Sequence, residues 1–308
     1  MDALDAVLAA AGVRGTIAAT LNAAGPWGLN LDDIPGAAFH AVTDGTAWLC
    51  LRGQPDIRLL PGDVVLLPTG AAHVLASDPA ADTVPFDRAA AQRALSAGEE
   101  LHLGCGAPQA RILCATYRQD PAITMPLLTL LPDLLHIPAA RASAALGTTL
   151  RLLAQELGEP APGSAAVLNR IVDILLVQVL RTWLTAAPAP PRGPSWFAAL
   201  TDPVVGPALA AVHTQPGRDW TVASLAAATG VSRATLARRF PEKVGDTPAA
   251  HLTRWRMDLA AQRLRDSDDT VSAIARTVGY TSEYAFSRAF TRARGIPPGR
   301  YRARSRPA

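Results

Sequence analysis

The chain has 308 residues, room for two domains at about 100–200 residues each. Apolar residues make up 49% and charged residues 18%, which excludes a wholly disordered chain, and no run reaches the ~18 uninterrupted apolar residues of a membrane span. The formal net charge of +3 conceals a division: residues 1–190 carry 11 Lys+Arg against 17 Asp+Glu, and residues 191–308 carry 18 against 9. An acidic module beside a basic one that meets a polyanion is the arrangement this implies. Lys243 is the single lysine among the 29 basic residues. The acidic half is just as poor in lysine, so this bias reads as nucleotide composition rather than selection for arginine. Three cysteines (Cys50, Cys105, Cys114) do not make a secreted disulfide framework, and the N-terminus has no basic n-region. A cytoplasmic protein opening on a helix of about ten residues is expected.

The first region, residues 1–125, is cut into short apolar runs by turn residues. "AAFHAVTDGTAWLCLRG" carries Asp44-Gly45 between two strand-like runs, a hairpin signal. "IRLLPGDVVLLPTGAAHVLA" adds strands around Pro61-Gly62 and Pro68-Thr69-Gly70, and "ARILCATYR" is another. Many short strands with Gly/Pro turns and no helical period predict an antiparallel barrel or double-sheet roll. Residues 126–186 read as a helical extension. There Ser164 is a candidate N-cap, and Val167, Leu168, Ile171, Leu175 and Val179 recur at helical spacing. The width of that apolar stripe fits burial against the barrel or contact with a second subunit in a homodimer. Residues 187–200 follow as a proline-rich linker.

Residues 201–308 contain an internal echo. "LAAATGVSRATLARRF" and "IARTVGYTSEYAFSRAF" share an alanine (Ala226, Ala275) four residues before a glycine (Gly230, Gly279), a polar turn, and a helix ending on phenylalanine. The small residue permits close helix crossing and the glycine a left-handed turn, so both read as helix-turn-helix units. Between them "TPAAHLTRWRMDLAAQRLRDSDD" is one long amphipathic helix, with Leu252, Trp255, Leu259 and Leu264 on its apolar face. Held at fixed separation, the two second helices could enter successive major grooves, roughly 34 Å apart.

These residues, with the closing "GIPPGRYR", resemble the DNA-binding domain of AraC/XylS-type transcription regulators over Thr201–Arg304. The resemblance implies base reading from Arg233, Ala234 and Arg238 in one helix and Glu283, Tyr284, Ser287 and Arg288 in the other. Arg238 suits a bidentate contact to guanine, Ala234 a thymine methyl, and Glu283 the cytosine amino group. Arg239, Arg254 and Arg292 suit phosphates. Promoter DNA in double-stranded form is the implied partner, with RNA polymerase a further one.

The spacing Gly62, Pro68-x-Gly70, His73 is similar to the second motif of cupins, with "FHAVTDGTAWL" as a degenerate first motif, over Pro35–Arg118. The resemblance implies a cupin-type sensor domain. In metal-binding cupins the first motif supplies two histidines and a glutamate, but here only His40 remains and Ala38 stands two residues earlier. Two readings stand. His40, His73, Cys105 and Cys114 could form a closed tetrahedral zinc site, with His102 a poorer fourth ligand. Alternatively the histidines are core residues satisfied by hydrogen bonds, the cysteines small buried hydrophobes, and Cys105, between two glycines, an exposed thiol open to oxidation.

The expected fold class is thus α+β: an N-terminal cupin-type antiparallel β-barrel with a helical extension, then an all-α double helix-turn-helix domain. The expected function is a sequence-specific regulator, not an enzyme, whose barrel senses a small molecule, a metal or an oxidant. A cupin metalloenzyme fused to a DNA-targeting domain is the alternative.

Overall fold

The computed structural model describes residues 12–32, 34–119, 128–159, 161–186 and 196–305, together with positions 4 and 8, both helical. The rest of the N-terminal helix expected from the sequence lies outside the described residues. The chain divides into two compact units, one holding residues 13–118 and 131–187 and the other the helices between 196 and 305.

The first unit is a roll of two sheets. Its strands are β1 (Arg14–Ala24), β2 (Gly28–Leu31), β3 (Ala37–Gly45), β4 (Ala47–Leu51), β5 (Ile57–Leu59), β6 (Val64–Leu67), β7 (His73–Ala76), β8 (Val84–Pro85), β9 (Leu101–Gly104), β10 (Pro108–Arg118) and β11 (Leu135–Ile137). One sheet runs β11-β6-β3-β10-β1-β9 and the other β5-β4-β7-β2-β8. All pairings are antiparallel except β1 with β9 and β2 with β8. Alternate side chains point inward, so Leu21, Leu29, Leu49, Leu75 and Ile112 fill the space between the sheets.

Asp44-Gly45 is not a hairpin. β3 pairs with β10 and β6, whereas β4 pairs with β5 and β7, so the chain changes sheets at Gly45. Gly45 has φ 68°, and a Cβ there would lie 1.8 Å from the Gln109 carbonyl oxygen, so only glycine brings β3 to its end against β10. An Asp-Gly pair supplies the positive φ for a corner as readily as for a hairpin.

Two further departures are helix α1 (Arg88–Ala97) and strand β11, in regions read as purely β and purely helical. Helix α1 is locally encoded: the Asp87 side chain accepts from the Ala90 N–H, and Gly98 closes the helix in the left-handed conformation. Strand β11 is three residues long and exists only through its pairing with β6, a tertiary effect. Helices α2 (Ala144–Gly158) and α3 (Ser164–Ala186) then pack on each other, and α3 on the outer face of β1. The buried Tyr117 hydroxyl donates to the Val172 carbonyl at 2.8 Å, and the Gly15 N–H to Asp173 at 2.9 Å. Ser164 begins α3 rather than capping it. Its hydroxyl donates to Glu156 at 2.6 Å and accepts from the Ala161 N–H.

Residues 187–195 of the expected linker lie outside the described residues, and its last part is not linker. Trp196–Leu200 is helix α4, which buries Phe197 completely. It opens the second unit, followed by α5 (Val205–Thr214), α6 (Val222–Ala228), α7 (Arg233–Val244), α8 (Pro248–Asp266), α9 (Val271–Thr277), α10 (Glu283–Arg294) and α11 (Pro298–Ser305). Here the echo in sequence is an echo in structure. The Ala226 and Ala275 carbonyls accept from the Val231 and Tyr280 N–H groups across turns where Gly230 and Gly279 have φ 70° and 83°. Ser232 and Ser282 cap α7 and α10. Leu236, Phe240, Phe286 and Phe290 are fully buried. Among the described residues no helix is long and apolar enough to cross a membrane.

Candidate functional site

Two places in the chain gather chemistry: the outer faces of α7 and α10, and the open end of the barrel.

On α7, Arg233, Ala234 and Arg238 are exposed, as a helix buried only along Leu236 and Phe240 requires. Arg238 lies 3.3 Å from Glu242 one turn on, an exposed ion pair worth well under about 1 kcal/mol and therefore easily exchanged for another partner. On α10, Glu283 and Arg292 are exposed, Ser287 is half-buried, and Tyr284 is 72% exposed. The Arg288 guanidinium sits over the Tyr284 ring, 5.8 Å from its centroid.

Arg239, expected on phosphate, is turned inward. Its guanidinium bonds Asp202 at 2.7 Å, joining α7 to the start of α5. Against burial, which raises it, the Val205 and Val204 N–H groups and Arg239 hold the Asp202 carboxyl below its usual value. The sequence alone does not separate these roles: α7 has three arginines, and only burial distinguishes the two exposed ones from the one that a carboxylate already holds. Arg254 likewise bonds Asp246 at 2.7 Å.

The second unit also holds two buried constellations that the sequence reading missed. His213 and His251 meet Nε2 to Nε2 at 2.9 Å beside Trp255 and Phe240. Burial, then the nearby Arg254 charge, pushes His251 down to about 4. Arg294 at the end of α10 bonds Asp258 on α8, and Asp258 is completely buried.

In the barrel, the register places His40 opposite Cys114, and β7 brings His73 from the other sheet. The Cys114 sulfur is 3.0 Å from His40 Nδ1, His40 Nε2 is 2.8 Å from His73 Nε2, and His73 Nδ1 is 2.7 Å from the Ala71 carbonyl. Burial, then the adjacent His73, lowers the His40 pKa well below its ordinary value. Burial also lowers His73 and pushes the Cys114 thiol up. Burial favours the neutral form of all three groups, and with all three neutral the proton positions follow. The Ala71 carbonyl only accepts, so His73 Nδ1 carries hydrogen and its Nε2 is bare. His40 Nε2 therefore donates, His40 Nδ1 is bare, and the Cys114 S–H donates to it.

This geometry does not fit the zinc site expected on His40, His73, Cys105 and Cys114. Two histidines on a tetrahedral zinc, each ~2.0–2.1 Å from the metal, hold their nitrogens ~3.3 Å apart rather than at hydrogen-bond distance. Cys114 lies at the opposite ring nitrogen of His40 from the one facing His73, so one ion cannot take all three as they stand. Cys105 is exposed on the turn after β9, and His102 is exposed on β9 itself. Among the described residues no group of three or more His, Cys, Asp or Glu side chains converges as metal ligands do.

Beside this relay the barrel opens into a cavity of about 290 Å³, roofed by α1 and lined by Ile17, Leu31, Ile34, Ala38 and Phe86, with His40 and Cys114 on its floor and Arg88, Gln92 and Arg118 at its polar edge. The edge residues gave no recognisable signal in the sequence, because α1 and β10 supply them from distant segments.

A cupin family model matches residues 2–185, and a helix-turn-helix domain model matches residues 225–304. A protein of Streptomyces lividans named as an AraC-like transcription regulator is 39% identical over 98% of both chains. One of the same description from Streptomyces antibioticus is 38% identical over the whole of both. The HTH-type transcriptional regulator AlkR of Acinetobacter baylyi is 31% identical over 91% of this chain and 92% of its own.

Proposed function

Because the chain belongs to the AraC-like transcription regulators with an N-terminal cupin domain, we propose that α7 and α10 read promoter DNA while the barrel cavity takes the molecule that controls it. Arg233, Arg238, Glu283, Tyr284, Ser287 and Arg288 would reach base edges from the two helices, and Arg292 a phosphate. The observation that carries the DNA reading is the matched exposure of Arg233 and Arg238 on one helix and Glu283, Tyr284, Arg288 and Arg292 on the other, two helices built and capped alike. The test is duplex binding by the full chain. Arg238→Ala should lose about 1–3 kcal/mol at one base pair and relax the preference there. Loss shared evenly over all sequences would instead make Arg238 a backbone contact.

The sensing half rests on the cavity. A small molecule, rather than a metal, is the reading the cavity residues favour, and an oxidant reading would rest on the exposed Cys105, which does not line the cavity. Among the described residues the donor set does not converge for zinc, and burial pushes the Cys114 thiol up, away from the reactive thiolate. An iron or copper cupin enzyme needs several convergent ligands with open positions, which a two-histidine contact does not supply. A second copy of the chain would cover Val167 and Ile174 on α3 and Leu152 on α2, which are 43%, 49% and 49% exposed. Val167→Asp with Ile174→Asp should then give a monomer by light scattering.

A further inference from the structure

Given the DNA reading above, on which this rests, we propose that Arg256 is a positioning residue for recognition. It clamps the two helix-turn-helix units together and fixes the separation at which α7 and α10 meet the duplex.

Helix α8 is shared between those units, and position 256 is where it passes from one to the other. Trp255, one residue earlier, packs on His213 of α5. Met257, one residue later, belongs to the core that holds Ile274, Phe286 and Phe290 of α9 and α10. A shared helix fixes the rise between the elements that pack on it. Their tilt about that helix needs a second point of attachment.

The second point is an approach of backbone to backbone. The loop 215–220, which leads into α6, meets the end of α9 and the turn after it. A Cβ on Gly217 would lie 2.9 Å from the Thr277 carbonyl oxygen, and one on Gly279 would lie 2.7 Å from the Gly217 carbonyl oxygen. Arg256 closes this contact. Its Nε donates to the Pro216 carbonyl at 2.8 Å and a terminal N–H donates to the Arg218 carbonyl at 2.9 Å. The guanidinium carbon stands 5.7 Å from the centre of the Tyr280 ring, within cation–π range. One side chain therefore holds the entry to the first helix-turn-helix unit and the turn of the second.

The loop is built to receive it. Trp220 Nε1 donates to the Gln215 carbonyl at 3.0 Å, and the Trp220 N–H donates to the Arg218 carbonyl at 2.9 Å. The Arg218 guanidinium covers the Trp220 ring at 4.1 Å. Two carbonyls are thereby held ready for one planar fork, which arginine supplies and lysine, a point donor, does not. At the other end Tyr280 lies three residues before Glu283, the first residue of α10, and its ring meets Phe286 at 5.7 Å. Through Tyr280 the clamp reaches the pose of α10. Two linked readers gain most when their separation matches the duplex, and a looser link spreads that gain over several separations.

The experiment begins with duplexes selected from a randomised library by the full chain. Affinity is then measured for the selected site and for versions with one base pair inserted or removed between its two recognised segments, a shift of about 3.4 Å and about 35°. Wild type is expected to lose at least about tenfold on such a change. Arg256→Met is expected to bind the selected duplex about tenfold more weakly, yet to lose no more than about threefold on insertion. A merely structural role weakens every duplex alike, so an unchanged insertion penalty in Arg256→Met would overturn the proposal. Wild type that selects a single segment, or tolerates every separation, overturns it with the DNA reading intact. Wild type that selects no duplex removes the DNA reading and the inference with it. Should Arg256→Met melt within the assay range, Gly217→Ala carries the test. Position 217 is not left-handed, so the change adds only a methyl group against the Thr277 carbonyl. It is expected to weaken the selected duplex and shrink the insertion penalty, and wild-type behaviour there would overturn the clamp.

Discussion

Replacing Arg294 with methionine removes the guanidinium from a carboxylate that has no access to water. Asp258 is 0% exposed and the Arg294 side chain 7%, so solvent cannot take the arginine's place. Breaking a buried pair from one side costs about 3–5 kcal/mol, because the remaining charge stays desolvated. The pair joins α8 to the last turn of α10, so the cost falls on the second helix-turn-helix unit. Hydrogen exchange of the full chain, read on peptides from α8 to α11, localises it. A loss of that size speeds exchange of the best-protected amides there about a hundredfold to a thousandfold or more. Barrel peptides should not change. The double variant Asp258→Leu, Arg294→Met is expected to recover most of the protection, since an apolar pair of similar volume leaves no buried charge. Exchange within a few-fold of wild type in Arg294→Met, or a double variant as damaged as the single, would refute the reasoning.

Acid should loosen the first helix-turn-helix unit. His251 is held down to about 4 in the folded chain against an unfolded value near 6.5, so unfolded chain takes up the proton first and stability falls as pH drops from 6.5 toward 4. The full effect is about 3 kcal/mol, and His251→Phe should flatten the pH dependence of unfolding in that window. Arg239→Ala is expected to cost stability through the loss of Asp202's partner while leaving the salt dependence of promoter binding unchanged. A shallower salt slope would return Arg239 to the phosphate contacts. Elemental analysis of wild type and His73→Ala should give the same metal content, because the two histidines bond each other. About one zinc per chain, lost in the variant, would restore the metal reading.

What the sequence disclosed was what neighbours in the chain decide. Gly230 and Gly279, the caps Ser232 and Ser282, and the apolar phases of α7 and α10 are all set within a dozen residues, and the structure keeps them where the spacing puts them. The roll of short strands was legible for the same reason. Pairing was not. Asp44-Gly45 announces a reversal, but whether β4 returns beside β3 or leaves for the other sheet depends on β10 arriving from 65 residues away, with Gly45 opposite Ala110. Cys105, between two glycines, already read as the more exposed thiol, yet both it and Cys114 stood as candidate ligands. The register that faces Cys114 with His40 separates them, and an exposed turn removes Cys105. Arg239 shows the limit for charge: composition counts arginines, and only packing tells which of them a carboxylate already holds.

The one-way order of hydrogens through Cys114, His40 and His73 also sets what drift could place at these positions. A backbone carbonyl anchors one end, and a carbonyl cannot reverse its role, so each position inherits a fixed polarity. Position 114 must offer a hydrogen, which serine can do, whereas aspartate would oppose a bare nitrogen and alanine would abandon it. Position 40 must accept on one side and donate on the other, which among the side chains of that size only neutral histidine does from opposite edges of one ring. Homologous chains that lose the cysteine should therefore keep a hydroxyl there, or surrender both histidines together.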